Sequence, residues 1–176
     1  IGFMKARLKE ILDEGPVVFK GVFSDTGRAV KRVMDYSGAF PVVHELRKKI
    51  GAMPIVAQRY IPHGTISYRV TLAGNTIIQS VVKYGKTWKE GKLFWKNEKY
   101  RLFTPTHYIV KLCKKTAEVF GLEWCGIDLM QDQQGKWYLI EVNSCPSMDF
   151  VIKDAKRANK LLVKYLLDVH RNEIEK

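Results

Sequence analysis

The sequence lacks the features that mark several broad classes of protein. No apolar run reaches the length of about 18 residues that a membrane-spanning helix needs, and the opening segment mixes charged with apolar residues, unlike a secretory signal. We therefore expect a cytoplasmic protein without a membrane partner. Three cysteines without Cys-x-x-Cys spacing indicate neither a disulfide framework nor a zinc site, and reduced, mostly buried thiols are the simpler interpretation. The four histidines are scattered and suggest no Ser-His-Asp or Cys-His arrangement.

Positive charge is what the sequence has in excess. The chain contains 30 Lys and Arg against 18 Asp and Glu, for a formal net charge of +12. Such a surface attracts anions, and three kinds qualify: nucleotide phosphates, an acidic peptide or metabolite, and nucleic acid. Charge alone does not choose between them. The length of 176 residues allows one substantial core or two small lobes.

Hydrophobic periodicity and turn residues predict a chain of mixed helices and strands. Apolar residues at helical spacing predict helices at 1–14, 42–50, 104–121 and 153–170. β-branched and apolar runs bounded by turn residues predict strands at 16–20, 28–35, 55–61, 66–73, 76–83, 124–130 and 137–142. The pairs 66–73 with 76–83 and 124–130 with 137–142 are expected to form antiparallel hairpins. Residues 84–103 interleave cations and aromatics without either period, and we predict a loop there.

Three oxygen-bearing side chains fall at the ends of two apolar, strand-like runs. Glu141 and Asn143 are two residues apart, so an extended backbone points both to one face, and a hairpin partner can bring Asp128 opposite them. Carboxylate and amide oxygens shared with phosphate oxygens suit magnesium better than zinc or copper. The alternative is a bare polar edge of a hairpin. We favour the metal interpretation because two carboxylates among apolar neighbours would be costly to bury without a cation.

The stretch 121–148 resembles the C-terminal metal-binding segment of ATP-grasp enzymes, and most closely the RimK-like group of ribosomal-protein glutamate ligases and glutathione synthetase-type relatives. The resemblance implies that Asp128, Glu141 and Asn143 hold two Mg²⁺ ions, with Mn²⁺ as an alternative metal, bridging the phosphates of ATP. Ser144 and Pro146 match the turn that follows in the family.

The resemblance extends upstream over most of the chain from about residue 15. Lys20 resembles the strand-end lysine that meets the α- and β-phosphates, and 21–27 resembles the accompanying glycine-containing loop; a solvated strand-end lysine is the alternative. The segment 55–61 resembles the linker strand whose backbone reads the adenine edge. That similarity implies nucleotide contacts from Gln58, Arg59, Tyr60 and Ile61.

Arg69 resembles the arginine of the family's Asp-x-Arg element, which holds the transferred phosphate or the substrate carboxylate. Ser67 stands where the family has the acid, which leaves the orientation of Arg69 open. Lys83 ends the next strand and either faces the same phosphates or is solvated.

Two parts of the family pattern are missing. The family's Asn-x-x-Arg-Gly-Gly loop is matched only by 96–101, without glycines, so Asn97 and Arg101 are either metal-phosphate and substrate contacts or plain surface residues. The domain that usually precedes an ATP-grasp unit has no counterpart here. We therefore expect either a piece of a longer protein or a form that takes its substrate-binding face from another domain or from a homo-oligomer.

Together, the resemblance implies an α+β ATP-grasp fold in which two small lobes with antiparallel sheets, 1–61 and 62–176, enclose the nucleotide. It implies an ATP- and Mg²⁺-dependent carboxylate-amine ligase that forms peptide bonds through an acylphosphate on an amino acid or acidic peptide. Arg69 and Lys20 would be the catalytic cations. A non-catalytic ATP-binding regulatory module is the alternative. A nucleic-acid-binding protein, suggested by the Lys, Trp and Tyr of 83–101, is the least favoured.

Overall fold

The structure is a computed structural model that describes residues 2–22, 29–62, 66–89 and 92–174. The helices are α1 (Gly2–Asp13), α2 (Tyr36–Ile50), α3 (His107–Phe120) and α4 (Ile152–Ile174). The strands are β1 (Val17–Gly21), β2 (Val30–Val33), β3 (Ile55–Arg59), β4 (Ile66–Ala73), β5 (Thr76–Lys89), β6 (Lys92–Leu102), β7 (Trp124–Gln131) and β8 (Trp137–Asn143).

The chain divides into two compact units. The first contains Ile1–Pro62 and Lys86–Lys96, and the second contains His63–Gly85 and Asn97–Lys176. The strands β5 and β6 therefore each contribute residues to both units. The lobes 1–61 and 62–176 inferred from the sequence remain a proposal.

The first unit is an antiparallel sheet packed against α1 and α2. β1 lies between β2 and β3, and the start of β6 pairs with β2. Side chains alternate across a strand, so Val17 and Phe19 of β1 are buried against the helices while Val18 and Lys20 lie on the opposite face. The buried core of this unit consists of Leu12, Val17, Phe19, Ala29, Val33, Ala39 and Leu46.

The segment around Asp35 differs from the sequence-based prediction. The strand predicted for 28–35 is limited to Val30–Val33, and the helix predicted to begin at residue 42 begins at Tyr36. Asp35 caps the helix because its side chain accepts a hydrogen bond of 3.0 Å from the backbone N–H of Gly38. This cap starts α2 upstream of Pro41, which lies inside the helix. The predicted helix began after Pro41 and so missed the first turns of α2.

The second unit is a sheet in the strand order β6-β5-β4-β7-β8 with a helix on each face. Both predicted hairpins, β4 with β5 and β7 with β8, are confirmed, as is the helix α3. On one face, a core that includes α3 consists of Val70, Leu72, Ile109, Cys113, Ala117, Cys125, Ile127 and Leu129. On the other face, Ala158 of α4 packs against Ala73 and Ile78. Cys113 and Cys125 are buried, whereas Cys145 is exposed.

The loop predicted for 84–103 is wrong. β5 continues to Lys89, and β6 covers Lys92–Leu102. β6 pairs with β2 at Lys31 and Lys92, so its backbone groups enter a sheet ladder. A strand shows alternating apolar and polar residues only when one of its faces is apolar and the other is polar. Periodicity therefore cannot identify a strand such as β6, whose two faces are not divided in this way.

Candidate active site

Three of the predicted site residues lie in one row across adjacent strands of the second unit. Arg69 of β4 is directly opposite Asp128 of β7, and Asp128 is directly opposite Glu141 of β8. Residues directly opposite in an antiparallel pair share a face, so the three side chains lie on the face away from α3. Asn143 pairs with Gly126, one step further along the same face. The ladder therefore brings Asp128, Glu141 and Asn143 to the same side of the sheet.

Asp128 is the hydrogen-bonding centre of this row. Arg69 Nε donates to Asp128 Oδ1 at 2.9 Å, and Arg69 Nη2 donates to Asp128 Oδ2. Lys83 Nζ donates to Asp128 Oδ1 at 3.2 Å. Lys83 reaches this face because it pairs with Ser67, two residues before Arg69 on β4. The side chains of Arg69, Lys83 and Asp128 are 11%, 10% and 15% exposed, so the cluster is largely withdrawn from water.

Burial and charge act in opposite directions on these groups. Burial raises the pKa of the Asp128 carboxyl, but the hydrogen bond from Arg69 and the charge of Lys83 outweigh it and leave that pKa below its ordinary value. Burial also lowers the pKa of Lys83, and the carboxylate of Asp128 offsets this effect only in part because the charge of Arg69 adds to the lowering. Two buried cations therefore share the buried carboxylate of Asp128, and the charge of Glu141 also acts on both of them.

An aromatic ring covers the two cations. The ring centroid of Phe150 lies 4.6 Å from Lys83 Nζ and 5.3 Å from Arg69 Cζ. Tyr100 of β6 packs against the same ring at 5.2 Å between centroids. Phe150 lies in the segment between β8 and α4. No local sequence pattern predicts its contact with the two cations, because the contact depends on how that segment folds back over the sheet.

Gly126 lies close to the side chains of Pro146 and Arg69. A Cβ atom built on Gly126 would lie 2.7 Å from Pro146 Cβ and 3.4 Å from Arg69 Cδ. Only glycine leaves room for the proline turn at this point of β7. Asn143 begins that turn, since its Oδ1 accepts a hydrogen bond of 3.2 Å from the backbone N–H of Cys145.

The first unit holds the other predicted nucleotide contacts. Lys20 and Gln58 lie on the sheet face away from the helices, by the alternation of β1 and its register with β3. Arg59 lies on the other face, where it forms an ion pair with Glu14. Tyr60 and Ile61 follow β3, and the backbone N–H of Tyr60 donates to Pro16 O at 2.8 Å. The structure therefore brings Lys20 and Gln58 to one face but not the side chain of Arg59.

The remaining candidates are only partly described. Arg101 of β6 is exposed, with its guanidinium 5.9 Å from the ring centroid of Tyr84. Asn97 also belongs to β6, but its side chain lies outside the described part of the chain. Most of the predicted glycine-containing loop, 21–27, likewise lies outside the described residues.

Comparison with known proteins assigns the family. A family model described as the RimK-like ATP-grasp domain matches residues 5–166.

The chain belongs to the RimK-like ATP-grasp family. The expected family and the α+β ATP-grasp fold class are thereby confirmed.

Several solved ATP-grasp structures resemble this chain in fold. The RimK domain protein ATP-grasp from Sphaerobacter thermophilus has a TM-score of 0.62 at 19% identity, over 92% of this chain and 57% of that chain. The macrocyclase MdnC bound with precursor peptide MdnA, from Microcystis aeruginosa, has a TM-score of 0.59 at 15% identity, over 90% of this chain and 51% of that chain. The ATP-grasp ligase PsnB complexed with minimal precursor has a TM-score of 0.67 at 14% identity, over 94% of this chain and 52% of that chain.

The chain spans about half the length of these ATP-grasp structures. No curated protein matches it. Within the described residues, no helix has the length and apolar composition that a membrane crossing requires.

The predicted metal ligands of this ATP-grasp chain fit magnesium by their chemistry. Among the described residues, no group of three or more His, Cys, Asp or Glu side chains could hold a metal ion, so the candidate set combines two carboxylates with the amide of Asn143. A carboxylate has about four lone-pair positions, so Asp128 can keep Arg69 and Lys83 and still bind a cation. Asn143 Oδ1 accepts one hydrogen bond and retains a second lone pair. Hard oxygen donors of this kind are the ligands that Mg²⁺ prefers.

Proposed function

We propose that this chain is the nucleotide- and metal-binding part of an ATP- and Mg²⁺-dependent ligase that joins a carboxylate to an amine. The observation that carries the proposal is the row of Arg69, Asp128 and Glu141 on three adjacent strands. Lys83 donates a hydrogen bond to the carboxylate of Asp128 in this row. It places paired acids and cations together on one sheet face, as phosphoryl transfer requires. The family and the fold support the general class of reaction.

Asp128, Glu141 and Asn143 would hold the metal, as two Mg²⁺ ions or with Mn²⁺ in their place. The bound metal supplies charge neutralisation of the polyphosphate. Asp128 serves both functions of the site, because it binds the cations of the protein and offers lone pairs to the metal. Glu141 is exposed, so the expectation that both carboxylates are buried is wrong for this residue. It brings a second negative charge to the row without a burial cost.

Arg69 and Lys83 would stabilise the charge that develops during phosphoryl transfer. An oxygen of the substrate carboxylate attacks the γ-phosphorus, the bond from that phosphorus to the β-phosphate oxygen breaks, and ADP leaves with the electron pair. The amine then attacks the acyl carbon of the acylphosphate, inorganic phosphate departs and the amine loses a proton. Fixed cations in a dry site stabilise these anionic states more than cations in water do. No protein nucleophile is needed.

The first unit would contribute nucleotide contacts. Lys20 is the proposed contact for the α- and β-phosphates, and the segment from Gln58 to Ile61 is the proposed contact for the adenine, mainly through its backbone. Arg59 would act only through its backbone, because its side chain pairs with Glu14 on the opposite face.

The proposed substrates are an amino acid or an acidic peptide and an amine partner. The net charge of +12 suits an anionic substrate. Two of the related structures carry a precursor: a minimal precursor in PsnB and the precursor peptide MdnA in MdnC. A separate substrate-binding domain or a second copy of the chain would complete the substrate face.

The test is ADP release with Mg²⁺, screened with amino acids and acidic peptides. We expect stimulated release with at least one substrate, and loss of that release in Glu141→Gln. Glu118→Gln, a carboxylate that is 70% exposed on α3, is the matched control and keeps the activity. Mg²⁺-dependent ATP binding without stimulated release by any substrate would favour the non-catalytic module. Full activity in Glu141→Gln would reject the metal assignment.

A further inference from the structure

The helix α4 carries apolar side chains on two opposite faces. One face packs against the sheet of the second unit, where Ala158 is fully buried. On the other face, Val163, Leu166 and Leu167 are 54%, 55% and 51% exposed. Their spacing of three and four residues places them on one side of the helix, where they form an exposed stripe. A helix that packs through one face alone has polar residues at such positions, so the exposed stripe indicates a second contact.

A row of cations lies along one side of the exposed stripe. Its members are exposed and form no ion pair within the part of the chain that the structure describes: Lys153, Lys156, Lys160, Lys164 and Arg171. Steps of three or four residues keep successive side chains on one side of an α-helix, and the step of seven to Arg171 does the same. Asp168 is the one exposed acid among the described side chains of α4. The row therefore holds an excess of positive charge that the helix itself does not balance.

The arrangement of charge restricts what can cover this face. A helix that lies on a lipid surface has cations on both sides of its apolar stripe, whereas the other side of the exposed stripe has Ala155 and Asn159 in place of cations. Nucleic acid would pair with the cations but would leave the exposed apolar side chains without a partner. A second copy of the chain would bring the same unpaired cations to the contact from both sides. An acidic partner with apolar side chains satisfies both the row of cations and the exposed stripe.

We propose that the exposed face of α4 binds an acidic amphipathic helix of a partner protein. Apolar side chains of that helix pack on the exposed stripe, and its carboxylates meet the row of cations. A helix matches the row better than an extended segment does, because acids three and four residues apart recur at the same rise along the axis as the lysines. Three half-exposed apolar side chains suit one short helix and are too few for the interface of two globular domains. The proposal rests on α4 alone and not on the proposed ligase activity.

Fluorescence anisotropy with the full chain tests this surface. The probe is a labelled acidic helical peptide of about 20 residues, with leucines on one face and glutamates beside them. Its control is a peptide of the same composition in scrambled order. Two double variants remove the two parts of the surface: Lys156→Glu with Lys160→Glu, and Leu166→Gln with Leu167→Gln. We expect each double variant to bind the amphipathic peptide about tenfold or more weakly than the parent chain does.

Matched double variants separate this surface from the charge and hydrophobicity of the chain as a whole. Lys48→Glu with Lys111→Glu changes the net charge by the same amount at two exposed lysines outside α4. Val119→Gln with Phe120→Gln removes two exposed apolar side chains from α3. Both control variants should bind the amphipathic peptide within about twofold of the parent chain.

The scrambled peptide should bind the parent chain about tenfold more weakly than the amphipathic peptide. Equal binding of the two peptides, an equal loss in the control variants, or no binding by the parent chain would overturn the proposal. Tighter binding of phosphatidylserine vesicles or of a single-stranded oligonucleotide would reject the acidic helix as the occupant, as would sedimentation as a dimer that the leucine variant abolishes. A Tm of the leucine variant well below that of the α3 control would also reject the surface, because it would show that Leu166 and Leu167 pack within the chain.

Discussion

Arg69 and Asp128 lie directly opposite each other on β4 and β7, and the guanidinium of one donates two hydrogen bonds to the carboxylate of the other. Lys83 donates to the same carboxylate. Asp128 therefore balances two buried cations in addition to its proposed place in the metal site. Substitutions at Asp128 and at Glu141 should consequently have different effects on stability.

Asp128→Ala should destabilise the chain, whereas Glu141→Gln should not. Removing the carboxylate leaves Arg69 and Lys83 buried without their anion, which costs about 3–5 kcal/mol of unfolding free energy. Glu141 is exposed, so its change stays within about 0.5 kcal/mol. Urea unfolding measures both values, and binding of Mg²⁺-ATP should be lost in both variants. Equal stability of the two variants would contradict the assignment of Asp128 as the counter-charge.

Phe150→Leu should remove the cation–π contact between the ring of Phe150 and the ammonium group of Lys83. The ring centroid of Phe150 is 4.6 Å from Lys83 Nζ, and a cation over a ring contributes about 0.5–2 kcal/mol depending on burial. A double-mutant cycle of Phe150→Leu with Lys83→Met, followed by urea unfolding, should show a coupling free energy in that range. Phe120→Leu, on an exposed phenylalanine of α3, serves as the control with no coupling to Lys83. A coupling of zero for Phe150 would mean that the ring contributes only apolar area.

A contact in this site could be predicted from the sequence when the residues that make it are close together in the chain. The spacing of Glu141 and Asn143 and the hairpin to Asp128 are local, and alternation along β7 and β8 was enough to place them on one face. The contact between Arg69 and Asp128 joins residues 59 apart, through the pairing of β4 with β7. The register of that pairing follows from packing on both sheet faces and has no local signal.

The Phe150 contact and the strand β6 also depend on residues that are distant in sequence. Phe150 reaches the cations through an irregular segment, whose path no periodicity encodes. β6 was taken for a loop because its mixed cations and aromatics obey neither period, and its partner strands lie elsewhere in the sequence. In contrast, α3 was predicted well because its apolar stripe and Gly121, which has a positive φ, are local signals. Its N-cap is Thr106, two residues after the start that was predicted at residue 104.

Asp154→Asn should destabilise the chain in a pH-dependent way. Asp154 is 6% exposed and accepts hydrogen bonds from Arg157 Nε at 2.5 Å and from Gln79 Nε2 at 3.0 Å. The bond from Arg157, with a further contribution from Gln79, lowers the pKa of Asp154 against the opposing effect of burial. A lowered folded-state pKa gives stability that is full above the unfolded value and is lost as the pH falls through the folded value.

The expected loss in Asp154→Asn is about 1–3 kcal/mol at pH 7, since the bonds removed are to a charged group. The difference from the parent chain should shrink below about pH 4, where the carboxyl of the parent chain also takes up a proton. The Tm of the variant and of the parent chain, measured at pH 7 and below about pH 4, checks this. Asp168→Asn, on the exposed surface of α4, is the control. A difference that stays constant with pH would show that the charge of Asp154 is not what holds the start of α4.

Gly126→Ala should disturb the site without removing any of its polar groups. The added methyl would lie 2.7 Å from Pro146 Cβ, a separation that real Cβ contacts do not show, so the proline turn must move away from β7. Asn143 begins that turn, and Arg69 Cδ lies 3.4 Å from the same point, so both groups shift with it. We expect a loss of about 1–3 kcal/mol in unfolding free energy and weaker binding of Mg²⁺-ATP. The second substitution Pro146→Gly removes the atom that clashes and should restore part of the binding. If Gly126→Ala alone bound Mg²⁺-ATP as tightly as the parent chain, the position of the turn would not matter to the metal site.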